Sequence, residues 1–379
     1  MTELIILVNS VLLAVLGGMG RQIYRVRSEF TIPTSDEFKL KDVDLPSVTV
    51  CIPARKQEHA LIDSLQQVLR SEYPKLEIIV LDDASTDNTT ALIKSFASEG
   101  VRFVEGSPLA EGWLGKNHAL NELLDEASGA YVLFMDVDTH MQPKTLRYII
   151  EYALSKGASM VSVLPRRDDS LRASVMLSPL RFFWEVIFHR KETPASADNA
   201  WLVRRDVFSE DGFSDFKTLR NTAKPEGVIA AKLAKDGRYR FTVGSAGLGL
   251  SHQKKWNSQL STSVRLLYPM LGGKWYIAAF AALDLIAMLV PFTVIVVALL
   301  QPGLISPAVF WLSLATTIGY CALYALYARR VWARGWVLGA IIWPALVVQD
   351  IILLVTSVVK YSRGTVTWKG RPVRLEEKN

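Results

Sequence analysis

Tyr131-Val132-Leu133-Phe134-Met135-Asp136-Val137-Asp138 reads as a buried strand closed by two acids that flank one valine. Side chains two apart on a strand point the same way, so Asp136 and Asp138 are expected to present their carboxylates together where the apolar run stops. Hard oxygen donors of this kind suit Mg2+ or Mn2+, which take one or two carboxylates and complete their shell with substrate phosphates. A D-x-D after an apolar run is also what a solvated strand end looks like. The neighbouring strands decide between the two.

Ser47–Pro53 is a β-branched apolar run followed by helical spacing over Leu61–Arg70. Leu76–Leu81 repeats the strand pattern, and a helix over Thr89–Ser98 follows the capping cluster Ser85-Thr86-Asp87-Asn88. Val101–Glu105 reads as a strand, Asn117–Ala127 as a helix, and then comes the strand that opens at Tyr131. Strands alternating with helices predict a parallel sheet covered on both faces, with ligands at the carboxyl ends of the strands. The polar groups fall there: Pro53, Arg55 and Glu58 after the first strand, Asp82 and Asp83 after the second, Asp136 and Asp138 after the fourth. Neither G-x-G-x-x-G nor G-x-x-x-x-G-K-[ST] occurs at these ends, so a dinucleotide fingerprint or P-loop is not supported. A nucleotide held by acids is the remaining reading, with one Asp accepting from base or ribose and the D-x-D reaching the phosphates through a metal.

Outside this region the 379-residue chain changes character. Ile277–Leu300, Leu304–Ala328 and Trp336–Val359 are apolar stretches that each approach the ~20 residues needed to cross a bilayer core. Leu4–Gly20 is apolar as well and is followed by Arg21, Arg25 and Arg27, the reverse of the charge order in a signal peptide. A retained anchor with its basic flank in the cytoplasm fits better, which places the globular part on the cytoplasmic side of a multi-pass protein of the cell membrane. The expected divisions are an anchor over 1–28, a catalytic domain over 45–256, an interfacial segment over 257–276, membrane helices over 277–360 and a basic tail over 361–379. Three full crossings after a cytoplasmic domain leave that tail outside, against its Lys360, Arg363, Lys369, Arg371 and Arg374. One of the three segments is therefore expected to be re-entrant or interfacial, with Pro291, Pro344 and Asp350 marking the first and third as irregular. The net charge of +6 is assigned to anionic lipid surfaces, with no nucleic-acid partner. Cys51 and Cys321 belong to no C-x-x-C motif, and a disulfide between a buried strand and a membrane segment is not expected.

With these residues in place the chain resembles the family 2 glycosyltransferases of GT-A fold, and within them the membrane-bound group containing ceramide glucosyltransferase, the hopanoid-associated and the carotenoid-ester glycosyltransferases. The matching text runs in order: Ile52-Pro53-Ala54-Arg55-Lys56-Gln57-Glu58, Leu81-Asp82-Asp83-Ala84-Ser85-Thr86-Asp87-Asn88-Thr89, Gly112-Trp113-Leu114-Gly115-Lys116-Asn117-His118-Ala119 and Met135-Asp136-Val137-Asp138. It continues through Trp201-Leu202-Val203-Arg204-Arg205-Asp206-Val207-Phe208 to Val366-Thr367-Trp368-Lys369-Gly370-Arg371. The resemblance implies an α/β fold, a Rossmann-like mixed sheet with helices on both faces, joined to transmembrane helices. It also implies a UDP- or GDP-linked sugar donor at Pro53, Arg55, Glu58, Asp82, Asp83, Lys116 and Asp136, and Mn2+ or Mg2+ at Asp138 with Asp136.

Two departures follow. Such enzymes place an acidic pair before a helix that ends in a basic-x-Gly turn; counting back from Gly237 puts Glu226 on the base position and Pro225 on the first acid. A glutamate removes an acceptor proton as an aspartate does, with its carboxylate displaced by about one C–C bond. The Q-x-x-R-W motif that grips pyrophosphate is here His252-Gln253-Lys254-Lys255-Trp256, so Lys255 supplies a point charge without the guanidinium fork and His252 replaces the amide. The expected activity is inverting transfer to a lipid hydroxyl, with Glu226 as base and Lys116, Lys255 and the metal stabilising the leaving diphosphate. Leu177–His189, with Phe182, Phe183, Trp184 and Phe188, reads as an interfacial stretch that guides the lipid, or as an ordinary core helix. The rival readings are a processive polysaccharide synthase and a degenerate, non-catalytic membrane scaffold; a transporter is disfavoured by the few intramembrane charges.

Overall fold

Periodicity divides the chain. Long apolar helices gather in one compact unit, Met1–Glu29, Asp169–Ile187 and Lys254–Val366; alternating strands and helices build the other, Phe30–Asp168, Phe188–Gln253 and Thr367–Asn379. The structure, a computed structural model, describes residues 2–34, 39–168, 177–213 and 216–373, the side chains of 26–29 excepted.

In the α/β unit, β1 (Val48–Ala54), β2 (Leu76–Asp82), β3 (Val101–Glu105) and β4 (Tyr131–Met135) pair in parallel in the order β3-β2-β1-β4. The sheet continues through β7 (Ala200–Arg204), β6 (Met160–Leu164) and β8 (Tyr239–Val243), and β7 runs antiparallel to both of its neighbours. The all-parallel expectation is thus corrected to a mixed sheet, the form that the GT-A resemblance implies. β1, β4 and β6 are buried almost throughout because helices cover the sheet, so their sequences read as continuous apolar runs. The covering helices include α2 (Leu61–Leu69), α4 (Gly115–Glu126), α5 (Thr145–Ser155) and α8 (Pro225–Lys235); α3 (Thr89–Ser95) packs beside α2 and β3.

β4 stops at Met135, three residues before the expected end. Thr139 N donates to Asp136 O at 2.9 Å, so Asp136–Asp138 is a tight turn leading into β5 (Thr139–Met141), which pairs antiparallel with β9 (Leu250–His252). The alternation survives the turn: Val137 is buried while Asp136 and Asp138 are partly exposed.

After the last long helix the tail returns to this unit as a hairpin, β10 (Thr367–Trp368) against β11 (Arg371–Pro372). Lys369 and Gly370 both sit at positive φ, 46° and 85°, the geometry of a two-residue type I′ turn.

In the other unit α1 (Thr2–Glu29) packs against α11 (Pro307–Val331) and α10 (Trp275–Leu300). Asn9 Nδ2 donates to Ser313 Oγ at 3.2 Å and Tyr320 Oη to Leu12 O at 3.3 Å, polar contacts of the kind that join helices where no water competes. The third apolar stretch is broken: α12 (Trp336–Ile341) ends at Ile342, before Pro344, and α13 (Trp343–Ser362) follows. The 257–276 stretch holds α9 (Trp256–Met270) and the start of α10, and the expected 177–189 stretch is helical only over Arg181–Ile187 (α6). Phe183 there is buried among Tyr324, Tyr327 and Trp343, with ring centroids 5.3–5.4 Å apart, which is the core-helix reading of that residue. Thr2–Arg25, α10, α11 and α13 are each long and apolar enough to cross a membrane.

The entry to β4 is pinned by backbone proximity. Gly129 N donates to Thr49 Oγ1 at 2.9 Å, and a Cβ at this position lies 2.6 Å from Thr49 N and 2.8 Å from Tyr131 O. Since both are backbone atoms of the central strands, they yield only by bending the sheet. Gly129→Ala is expected to destabilise the α/β unit by about 1–3 kcal/mol, read as a lowered melting temperature in detergent.

Candidate active site

Parallel pairing brings the ends of β1, β2 and β4 to one edge, where the sequence places its acids. Asp82 and Asp83 are both almost fully buried, and they do different things. Asp82 accepts from Ser85 N at 3.1 Å and from the Thr90 hydroxyl, so its carboxylate closes the loop that opens α3. Glu58 acts on the same loop, accepting from Asn88 N at 3.1 Å. Asp83 instead faces two guanidinium groups. Arg371 Nη1 of the tail hairpin lies 2.9 and 2.8 Å from its two oxygens, and Arg55 Nη1 lies 3.8 Å away while donating to Asp83 O. Lys369 of the same hairpin donates to Arg55 O.

Two residues here hold left-handed backbone without being glycine, Lys56 at φ 51° and Ala84 at φ 50°. Strain of this kind persists where the surroundings over-determine the backbone, and both positions follow a strand that ends at this edge. The hairpin comes close to α4 because residue 115 is glycine: a Cβ there lies 2.9 Å from Arg371 Nη1 and 3.1 Å from Trp368 Cζ3. Pro53 sits one residue before the end of β1, partly exposed.

The second cluster is centred on Lys116, at the start of α4. Its Nζ is 3.0 Å from Asp136 Oδ1, 3.2 Å from Asp198 O and 3.9 Å from Asp198 Oδ2. Next to it in sequence, Asn117 Nδ2 donates to Leu219 O at 2.7 Å and Thr222 O at 2.8 Å, which ties the 219–222 loop to the helix. Glu226 is in the first turn of α8, behind Pro225, whose missing N–H costs nothing at that position. The Glu226 side chain is only 2% exposed, and its Oε1 has no hydrogen-bond partner. Burial pushes the Glu226 carboxyl up to about 7; Lys224 pulls it down, Asp198 raises it and Lys116 lowers it. A buried acid with a raised pKa and a free oxygen is suited to exchanging protons near neutrality.

The D-x-D turn is held from beneath. Asp136 N donates to Asn199 O and Gln253 N to Asp138 O, both at 2.9 Å, and Asn199 Nδ2 lies 3.1 Å from His252 Nε2. His252 is buried, paired through β9 to Thr139, so the structure places it as a support of the turn. Among the described residues no three His, Cys, Asp or Glu side chains gather as a metal centre. The protein donors available at the turn are therefore the Asp136 and Asp138 carboxylates. That number fits an Mg2+-type ion completed by phosphate and water.

Of the expected site residues, the structure brings Arg55 to Asp83 and gathers Lys116, Asp136 and Glu226, with His252 below Asp138. Asp82 and Glu58 serve the 85–90 loop. Lys255 and Trp256 belong to the helical unit, where Lys255 precedes α9 and Trp256 Nε1 donates to Leu177 O at 3.2 Å. Sequence reasoning missed Asp198, Asn199 and Arg371. Asp198-Asn199 precedes the apolar strand β7 as Asp82-Asp83 follows β2, but its place before the strand hides it until β7 is known to run antiparallel. Arg371 closed the last stretch of family-matched text and counted among the charges of a basic tail, with no role given to it.

The chain has relatives among known proteins. The chain is 32% identical over 114 residues to the poly-beta-1,6-N-acetyl-D-glucosamine synthase of Staphylococcus epidermidis, covering 30% of this chain and 27% of that protein. It is 30% identical over 122 residues to the 4,4'-diaponeurosporenoate glycosyltransferase of Staphylococcus aureus, covering 31% and 32%. These matches thus span about a third or less of the curated relatives' length. In fold, the chain resembles the mannosyltransferase PcManGT of Pyrobaculum calidifontis, solved with GDP-Man and Mn2+, at a TM-score of 0.55 and 19% identity over 94% of this chain and 98% of that one. Residues 49–212 match the family model described as Glycosyl transferase family 2, and the α/β unit is accordingly a glycosyl transferase family 2 domain of GT-A-like fold.

Proposed function

We propose that this glycosyltransferase is membrane-bound and inverting, and moves a sugar from a nucleoside-diphospho-sugar to the hydroxyl of a lipid acceptor. The observation that carries the reading is Glu226: buried, with a free carboxylate oxygen, and coupled through Lys116 to the Asp136 turn. Glu226 takes the proton of the acceptor hydroxyl as the new bond to the anomeric carbon forms. The bond from that carbon to the diphosphate oxygen breaks in the same step, and the electron pair leaves on the diphosphate. Lys116 supplies positive charge on the donor side, and Asp83 with Arg55 receives the nucleoside. Asp138 and Asp136 would hold a divalent ion, Mn2+ or Mg2+, which when bound would offset charge on the leaving diphosphate.

Support for donor and ion comes from the mannosyltransferase of similar fold, which is solved with GDP-Man and Mn2+. Four apolar helices and the relative that glycosylates diaponeurosporenoate support a lipid acceptor, with the catalytic unit on the cytoplasmic side. The relative named as a poly-N-acetylglucosamine synthase keeps a polymer product as the second reading.

Lipid extracts incubated with UDP- or GDP-linked radiolabelled sugars and Mn2+ test the reading. One labelled glycolipid is expected, lost in Asp138→Asn; a polymer identifies a synthase, and no transfer from any donor identifies a scaffold. Glu226→Gln is expected to lower kcat by about 10²–10⁴-fold while donor binding is retained. In the parent enzyme kcat/KM is expected to rise with pH through about 7, as Glu226 ionises. Stability changes in the opposite direction. With the folded pKa raised from an ordinary 4.5, Glu226 favours folding at low pH and loses that contribution as pH rises through about 7. Glu226→Gln is therefore expected to melt with the parent at pH 4 and above it at pH 8.

Arg371 neutralises Asp83 and orients it for the nucleoside. Arg371→Ala is expected to raise the donor KM about tenfold, ~1.4 kcal/mol, with kcat little changed, measured by initial rates at saturating acceptor.

A further inference from the structure

Connectivity restricts how the helices meet a bilayer. Gln253, bonded through its N–H to Asp138 O, and the hairpin carrying Arg371 on Asp83 both belong to the α/β unit. A globular unit lies on one side of a membrane, so the chain between Gln253 and Thr367 crosses an even number of times. Three helices in that interval, α10, α11 and α13, are long and apolar enough to cross. At least one of them does not.

Within the helical unit, side-chain hydrogen bonds tie both ends of α13 to segments that adjoin the α/β unit in the chain. The segment 169–187 is nineteen residues long and joins the α/β unit at both ends; crossing and returning takes about 40 residues, so this segment stays on the catalytic side. α13 is fastened to it. Gln349 Nε2 donates to Leu177 O at 3.1 Å, Leu180 N and Trp184 Nε1 donate to Asp350 Oδ1 and Oδ2 at 3.2 and 2.9 Å, and the Trp343 ring lies 5.3 Å from that of Phe183.

The other end of α13 is held by α9, which begins three residues after Gln253 and exposes Asn257, Ser258 and Ser261, a polar face suited to a membrane surface. Tyr268 N donates to Ser357 Oγ at 3.1 Å and Tyr361 Oη to Arg265 O at 2.7 Å. From Trp343 to Tyr361 the helix rises about 27 Å, nearly a bilayer core, yet both of its ends are bound to surface segments. Ser362 is also only five residues from Thr367, a reach of at most about 18 Å.

We propose that α13 lies in the plane of the membrane on the catalytic side, its partner being the acyl layer of that leaflet, and that α1, α10 and α11 are the crossings. Its surface fits this placement. Val348, Ile352, Val355 and Val359, spaced four, three and four apart, form one exposed apolar stripe, while Asp350 and Ser357 are buried on the opposite face. α12 continues the stripe with Val337, Leu338 and Ile341. This placement rests on the apolar helices and the tail hairpin, and it is independent of the transferred sugar and of the acceptor.

The test is side-specific labelling in sealed proteoliposomes with Cys51 and Cys321 replaced. With a membrane-impermeant thiol reagent, Lys39→Cys and Arg363→Cys are expected to react from one side and Gln301→Cys from the other. Nitroxides at Val348→Cys, Ile352→Cys, Val355→Cys and Val359→Cys are expected to share one shallow, oxygen-accessible depth. Reaction of Arg363→Cys from the side opposite Lys39→Cys overturns the proposal. So does a depth profile that peaks at Ile352 and Val355, or a stripe closed to oxygen by a second copy. A C-terminal reporter on the unsubstituted chain reads the side of the tail where a cysteine variant does not fold.

Discussion

The ammonium of Lys116 is the charge on which the sheet edge depends. Asp136, Asp198 and Glu226 converge around it from the D-x-D turn, the strand that reverses the sheet and the helix that follows. Three carboxylates sheltered from water repel one another, and each loses hydration, so the assembly is tolerable only because a cation sits among them and one acid is held near neutrality. The same arrangement divides the labour: Asp136 is held as the ion-pair partner of the ammonium, and Glu226, with burial working against its charge, is left able to trade a proton. A transferase needs both conditions within one site.

Asp83 shows the complementary device. Its partners are guanidinium groups from β1's loop and from a hairpin nearly three hundred residues later in the chain. Sequence-distant elements thus share the task of holding one carboxylate.

Much of the architecture was legible. β3 falls where strand patterning placed it, β4 starts at Tyr131 as expected, and the helix after β2 starts at Thr89 as its capping cluster predicts, because local periodicity and turn chemistry act over a few residues. The errors have a common physical origin in longer-range forces. β7 reads as an apolar strand in either direction, and only its pairing with Trp201 opposite Phe134 makes the sheet mixed. The D-x-D ends in a turn because Asn199 O takes the Asp136 N–H that a longer strand would have used. The break at Ile342 divides what looked like a single apolar segment.

By itself the sequence determined the alternation of strands and helices, the acids at three strand ends and the four apolar helices, all properties of residue type and spacing. It also marked Asp82 and Asp83 as a pair, yet could not assign one to a loop and the other to Arg371. Only the tertiary structure separated them, set Asp198 beside Lys116, and buried Glu226 with a free oxygen. Those outcomes depend on which distant backbone and side-chain groups satisfy each carboxylate. Packing decides this, and no short stretch of chain encodes it.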